Sequence, residues 1–150
     1  MIHLKCILII MRTRITELNI DDFRAKKTFD NIIEITWDIN ESDESIIKNF
    51  PNLQKLNYSY KQITSLVPLT NCVNLQRLCC YGNQITSLDS LASCVNLQKL
   101  CCNENQITSL DPLANCINLQ RLDCYGNQIT SLPLIFCQQI NKGRFISELC

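Results

Sequence analysis

Histidine is nearly missing from this chain, whose one copy is His3. Serine–histidine–aspartate and cysteine–histidine catalysis both place an imidazole beside the nucleophile. A histidine this near the first residue, in what reads as a flank, does not serve that role, and no enzyme activity is expected. Glycine is scarce as well: Gly82, Gly126 and Gly143 stand far apart. A phosphate-cradling loop needs several glycines within a few residues, which argues against nucleotide binding of that kind. Net charge is absent, with 14 basic residues against 14 acidic ones. A chain that grips nucleic acid by its phosphates normally carries a basic excess, so no nucleic-acid partner is expected. The densest carboxylate runs, Asp21-Asp22 and Glu41-Ser-Asp-Glu44, read as solvated loops rather than a catalytic pair.

A long apolar run is missing too. The stretch Met1-Ile-His-Leu-Lys-Cys-Ile-Leu-Ile-Ile-Met11 is soon followed by Arg12 and Arg14. A membrane span needs about 20 apolar residues. A secretory signal wants a basic start and a small-residue cleavage site, whereas here Lys5 is the lone basic residue and Arg-Thr-Arg follows. The stretch is expected to be a first strand or cap. The protein is expected in the cytoplasm, without a membrane partner.

What the chain does have is a repeat. Leu53-Gln-Lys-Leu56, Leu75-Gln-Arg-Leu78, Leu97-Gln-Lys-Leu100 and Leu119-Gln-Arg-Leu122 follow one another at a constant spacing of 22 residues. Ile63, Ile85, Ile107 and Ile129 recur inside Gln-Ile-Thr-Ser-Leu. Numbered from its first leucine, each unit is apolar at positions 1, 4, 6, 11 and 14, the first three also at 17 and 20, with Asn at 9 in three of the four. The opening alternates as a strand with one buried face does. The later apolar positions recur every third residue, which suits a tight helical turn. No unit can bury its apolar side alone; stacked units bury it together.

These units resemble the leucine-rich repeat, whose signature is L-x-x-L-x-L-x-x-N/C-x-L. The 22-residue length and the wording Ser-Leu-Asp-Pro-Leu-Ala-Asn-Cys-Ile-Asn-Leu (109–119) resemble the internalin and phosphatase-regulator type. The near-identical units, with Cys in several Leu positions, also resemble repeat proteins of amoeba-infecting giant viruses. The resemblance implies an α/β right-handed solenoid, with a curved parallel sheet inside and short helical or 3-10 turns outside. Residues 1–31 are expected to be an N-terminal flank, 32–132 the array and 133–150 a C-terminal cap. Ile32-x-x-Ile35-x-Trp37-x-x-Asn40 opens a degenerate first unit, 32–52. The units 53–74, 75–96 and 97–118 follow, and 119–132 starts the last.

Stacking turns each position into a row, with neighbours about 4.8 Å apart. Asn83, Asn105 and Asn127 form a structural row at the end of the strand, broken by Lys61. Asp89 and Asp111 are expected to cap the outer turns. Cys80, Cys102 and Cys124 fill position 6, and Cys72, Cys94 and Cys116 fill position 20, as small core residues. There is no C-x-x-C among the 11 cysteines, and neighbours such as Cys79-Cys80 point to opposite faces of a strand. No metal and no cofactor are expected.

The functional surface is expected on the concave face. Lys55, Arg77, Lys99 and Arg121 make an unbroken basic row at position 3. Four like charges at strand spacing repel one another, and an acidic partner would relieve that. Tyr81 and Tyr125 supply aromatic contacts beside arginine, the chemistry of interface hot spots. Cys79, Cys101 and Asp123 at position 5, and Asn103 at position 7, complete the outward set. Cys79 and Cys101 lie side by side at a spacing a disulfide accepts; they read as exposed thiols, with a redox-switched surface as the alternative. The expected function is a monomeric, non-catalytic module that binds a protein, one with an acidic surface. The alternatives are a viral or bacterial host-interaction factor, a regulatory subunit docking on an enzyme, and, last, a cysteine-based redox or metal protein.

Overall fold

The computed structural model describes residues 34–36, 47, 50–130 and 132–133. The N-terminal run with His3, the segment from Trp37 through Glu44 and the residues after 133 lie outside the described residues. Five strands, β1 (Glu34–Thr36), β2 (Lys55–Asn57), β3 (Arg77–Cys79), β4 (Lys99–Cys101) and β5 (Arg121–Asp123), form one parallel sheet in chain order. The register is that of the repeat. Ile35, Leu56, Leu78, Leu100 and Leu122 are Cα partners across the sheet, and Lys55, Arg77, Lys99 and Arg121 form the adjoining row.

Each strand is only three residues long because the chain turns away soon after. Position 8 is left-handed in the four units that begin at Leu53, Leu75, Leu97 and Leu119: Tyr60, Gly82, Glu104 and Gly126 have φ of 56°, 66°, 52° and 67°. The turn row holds this corner. Asn83 donates to the Tyr58 and Cys80 carbonyls at 2.8 and 2.9 Å, and Asn105 to those of Cys80 and Cys102 at 3.0 and 3.1 Å. Asn127 repeats the pattern on Cys102 and Cys124, at 2.9 Å each. Each asparagine also accepts from the unit before it, at the amides of Ile63, Ile85 and Ile107. The break at Lys61 is absorbed by Asn83, whose carbonyl also accepts from the Lys61 amide at 2.9 Å.

The outer side carries 3-10 turns at Val67–Leu69, Asp89–Leu91 and Asp111–Asn115. Aspartate does not cap them. Leu66, Leu88 and Leu110 hold the cap position, and Asp89 and Asp111 are the first turn residues. The serine before each leucine does the bonding: Ser65, Ser87 and Ser109 hydroxyls accept from the Val67, Asp89 and Asp111 amides at 3.2, 3.0 and 3.0 Å. Serine sits two residues ahead of the amide, a span its short side chain reaches, and it leaves the aspartate carboxylate in solvent.

Between sheet and turns lies a continuous core. Leucines at positions 1, 4, 14 and 17, isoleucines at 11 and cysteines at 6 and 20 are buried, except that Ile129 and Leu132 at the far end are only partly so. Cysteine at position 20 adds a polar ladder. Cys94 donates to the Cys72 carbonyl and Cys116 to that of Cys94, both at 3.5 Å. Leucine could not make this contact, and the thiol stays small enough to pack.

Candidate binding groove

Odd positions of each strand point away from the core, so residues 3 and 5 of every unit share the concave face. A groove of about 390 Å³ runs across it, lined by Lys55, Asn57, Arg77, Cys79, Lys99, Cys101, Arg121 and Asp123 beside the strand leucines. One wall is the basic row. The other is position 5, which passes from Asn57 through the two thiols to Asp123. Arg121 turns toward its own strand neighbour and pairs with Asp123, Nε to Oδ2 at 2.8 Å. Among the described residues no carboxylate pairs with Arg77 or Lys99.

The thiols are half-buried, unlike the other described cysteines, which are buried. Ser59 Oγ lies 3.1 Å from Cys79 Sγ, and Asn103 Nδ2 lies 3.6 Å from Cys101 Sγ. Hydrogen bonding from Cys101, helped by Ser59 and the Tyr81 backbone, pulls the Cys79 thiol below its ordinary range, against its partial burial and the Asp123 charge. The same bond holds the Cys101 proton in place. In the core the opposite holds: burial pushes Cys72 and Cys116 up to about 11.

The rim beside the groove is aromatic. Tyr60 and Tyr81 meet edge to face, with ring centroids 4.8 Å apart and planes at 87°. Hydrogen bonds to Tyr60, Glu104 and Tyr125 push the Tyr81 phenol above its ordinary range. The Tyr60 ring also covers Gly82, where an added Cβ would come within 2.6 Å of it. Tyr60 and Tyr125 stay exposed.

Of the residues expected to bind a partner, Lys55, Arg77, Lys99, Arg121, Cys79, Cys101 and Asp123 come together in the groove. Tyr81 and Tyr125 lie two residues further along and do not line it. Asn103 differs from its expected outward placement. It is buried, and its Oδ1 accepts from the Tyr125 amide at 3.0 Å while its backbone carbonyl accepts from Gly82 at 3.0 Å. Its inward placement goes with that bond to the next unit, since Tyr125, at the same position of its own unit, stays exposed. Sequence reasoning left Asn57, Ser59 and Glu104 out of the site. Their place in the same outward or corner rows was the available signal.

The chain matches the family model described as "Leucine Rich repeats (2 copies)" at residues 51–93 and 95–135. It is 33% identical to internalin C2 of Listeria monocytogenes, with a TM-score of 0.66 over 71% of this chain and 47% of that one. Internalin F of the same organism gives 32% identity and a TM-score of 0.65, over 68% and 30%. The ectodomain of the Arabidopsis thaliana membrane receptor kinase GASSHO1/SCHENGEN3, solved in complex with Casparian strip integrity factor 2, gives 25% and 0.61 over 71% and 14%. No curated protein matches the sequence. The chain belongs to the leucine-rich-repeat family, and it spans less than half the length of these solved relatives. Proteins built from such arrays generally act as interaction scaffolds for other proteins, through the extended concave surface that stacking creates.

Proposed function

We propose that the chain docks an acidic segment of a partner protein along its concave groove. The observation that carries this is the in-register row Lys55–Arg77–Lys99–Arg121 on one wall. Arg77 and Lys99 at its centre have no carboxylate partner among the described residues, so an acidic ligand meets charge that is not already neutralised. Tyr81 and Tyr125 on the rim supply apolar area at low entropic cost. The chemistry needed is recognition alone, since the groove holds no histidine and no acid pair facing a nucleophile.

A labelled oligoglutamate peptide, followed by fluorescence anisotropy, probes the groove directly. Replacing Arg77 and Arg121 by glutamate is expected to weaken binding about tenfold or more, with binding falling steeply as salt is added. Equal binding by a double variant with an unchanged circular-dichroism spectrum would sink the assignment.

A further inference from the structure

We propose that Cys79 and Cys101 form a peroxide-reactive dithiol, in which Cys79 is the attacking sulfur and Cys101 closes the disulfide. The proposal stands apart from the docking reading and does not need it.

The geometry comes from the sheet. Cys79 and Cys101 are Cα partners on β3 and β4, both on the open side. Neighbouring strands run about 4.8 Å apart, inside the range of roughly 4.4–6.8 Å between α-carbons that a disulfide spans.

The two sulfurs are not equivalent. Cys79 has the Ser59 hydroxyl at 3.1 Å, the Tyr81 backbone and the Cys101 thiol around it. Cys101 has the Asn103 amide at a longer 3.6 Å and sits directly beside Asp123 on the next strand. Negative charge is therefore stabilised at Cys79 and repelled at Cys101. Arg77 and Lys99, two residues earlier on the same strands and the same face, add a positive field across the pair. The direction in which each proton is held agrees with this arrangement: the pair gives up its first proton below the ordinary thiol range and keeps its second above it. A thiolate that is partly exposed and flanked by basic groups is the reactive form of cysteine. The core thiols Cys72, Cys80, Cys94 and Cys116, buried and held protonated, are not.

The step balances with hydrogen peroxide as the oxidant. Cys79 thiolate attacks one peroxide oxygen, the O–O bond breaks, and the departing hydroxide takes up a proton to leave as water. Cys79 is then a sulfenic acid. Cys101 loses its proton and attacks the Cys79 sulfur; the S–O bond breaks and hydroxide leaves with that proton as a second water. Two thiols and one hydrogen peroxide give one disulfide and two waters, with two electrons passing from sulfur to oxygen.

Intact-mass and fragment analysis of the fully reduced full chain after hydrogen peroxide treatment tests this without any variant. The expected product has lost two hydrogens and carries one disulfide, mapped to Cys79 and Cys101 and reversed by a dithiol reductant. In Cys101→Ser the expected product is a Cys79 sulfenic acid, trapped by a cyclic 1,3-dione. In Cys79→Ser the rate of peroxide-dependent thiol loss is expected to fall about tenfold or more, because the remaining thiol is protonated. The proposal is overturned if both thiols of the unsubstituted chain survive peroxide that oxidises free cysteine. A disulfide mapped to any other pair overturns it too. Faster loss at Cys101 than at Cys79 reverses the assigned roles and overturns that part.

Discussion

Asn105 commits its whole side chain to backbone groups of two units. Its amide donates to the Cys80, Cys102 and Asn103 carbonyls, at 3.0 to 3.1 Å, and its oxygen accepts from Ile85. Alanine there leaves these buried groups without that partner. The expected loss is about 3 kcal/mol, read as a lower urea midpoint at an unchanged slope. Asn118, exposed and bonded to the Val95 carbonyl alone at 3.1 Å, serves as the control, and its replacement by alanine should cost no more than about 1 kcal/mol. Gly82 and Gly126 answer a different need. Both sit at positive φ, and an added Cβ meets the Tyr60 ring at 2.6 Å at Gly82 but Glu104 at 3.2 Å at Gly126. Alanine at either is expected to destabilise by about 1 kcal/mol through the backbone alone. Only Gly82→Ala should also dislodge Tyr60, visible as a change in near-ultraviolet circular dichroism.

A row of like residues behaves as an element in this fold. The cysteine ladder at position 20 shows how. Its thiols donate to carbonyls of the preceding unit, and burial holds Cys72 and Cys116 protonated up to about 11. An unfolded thiol loses its proton near the ordinary value of 9. Below that pH both states carry these protons, so stability does not depend on them. Between 9 and about 11 the unfolded chain has released them while the folded chain retains them. Stability should therefore fall with rising pH there, by about 1.4 kcal/mol per pH unit for each thiol. Denaturant titrations at pH 8, 9 and 10 check this. Replacing Cys72 and Cys116 by alanine should flatten the alkaline slope, while lowering stability at neutral pH through the cavity left behind.

For the whole molecule, stacking means that each unit touches only its neighbours. Stability is then close to a sum of unit and interface contributions. Units within the array have two interfaces, and their amides should exchange most slowly with deuterium. The Leu100 amide is expected to be better protected than those of Ile129 and Leu132, which only partly cover the core end. The same stacking gathers Lys55, Arg77, Lys99 and Arg121 into one charged wall, although they are 22 residues apart in sequence. Docking at that wall is a property of the array, since a single unit presents one basic group.

The 22-residue spacing alone determined the rows: leucine, isoleucine and cysteine inward, asparagine at the corner, basic residues outward. Identical residues at a constant interval are placed alike in every unit, and period two in the strand sets which face each takes. What the tertiary structure decided lies where the units differ from one another. Asn103 is drawn inward because its Oδ1 accepts from the Tyr125 amide of the next unit. Cys79 and Cys101 part in character because Ser59 stands on one side of the pair and Asp123 on the other. Such contacts join residues a full unit apart, so they depend on how one coil of the solenoid rests on the next, and a repeat pattern read along the chain does not contain that distance.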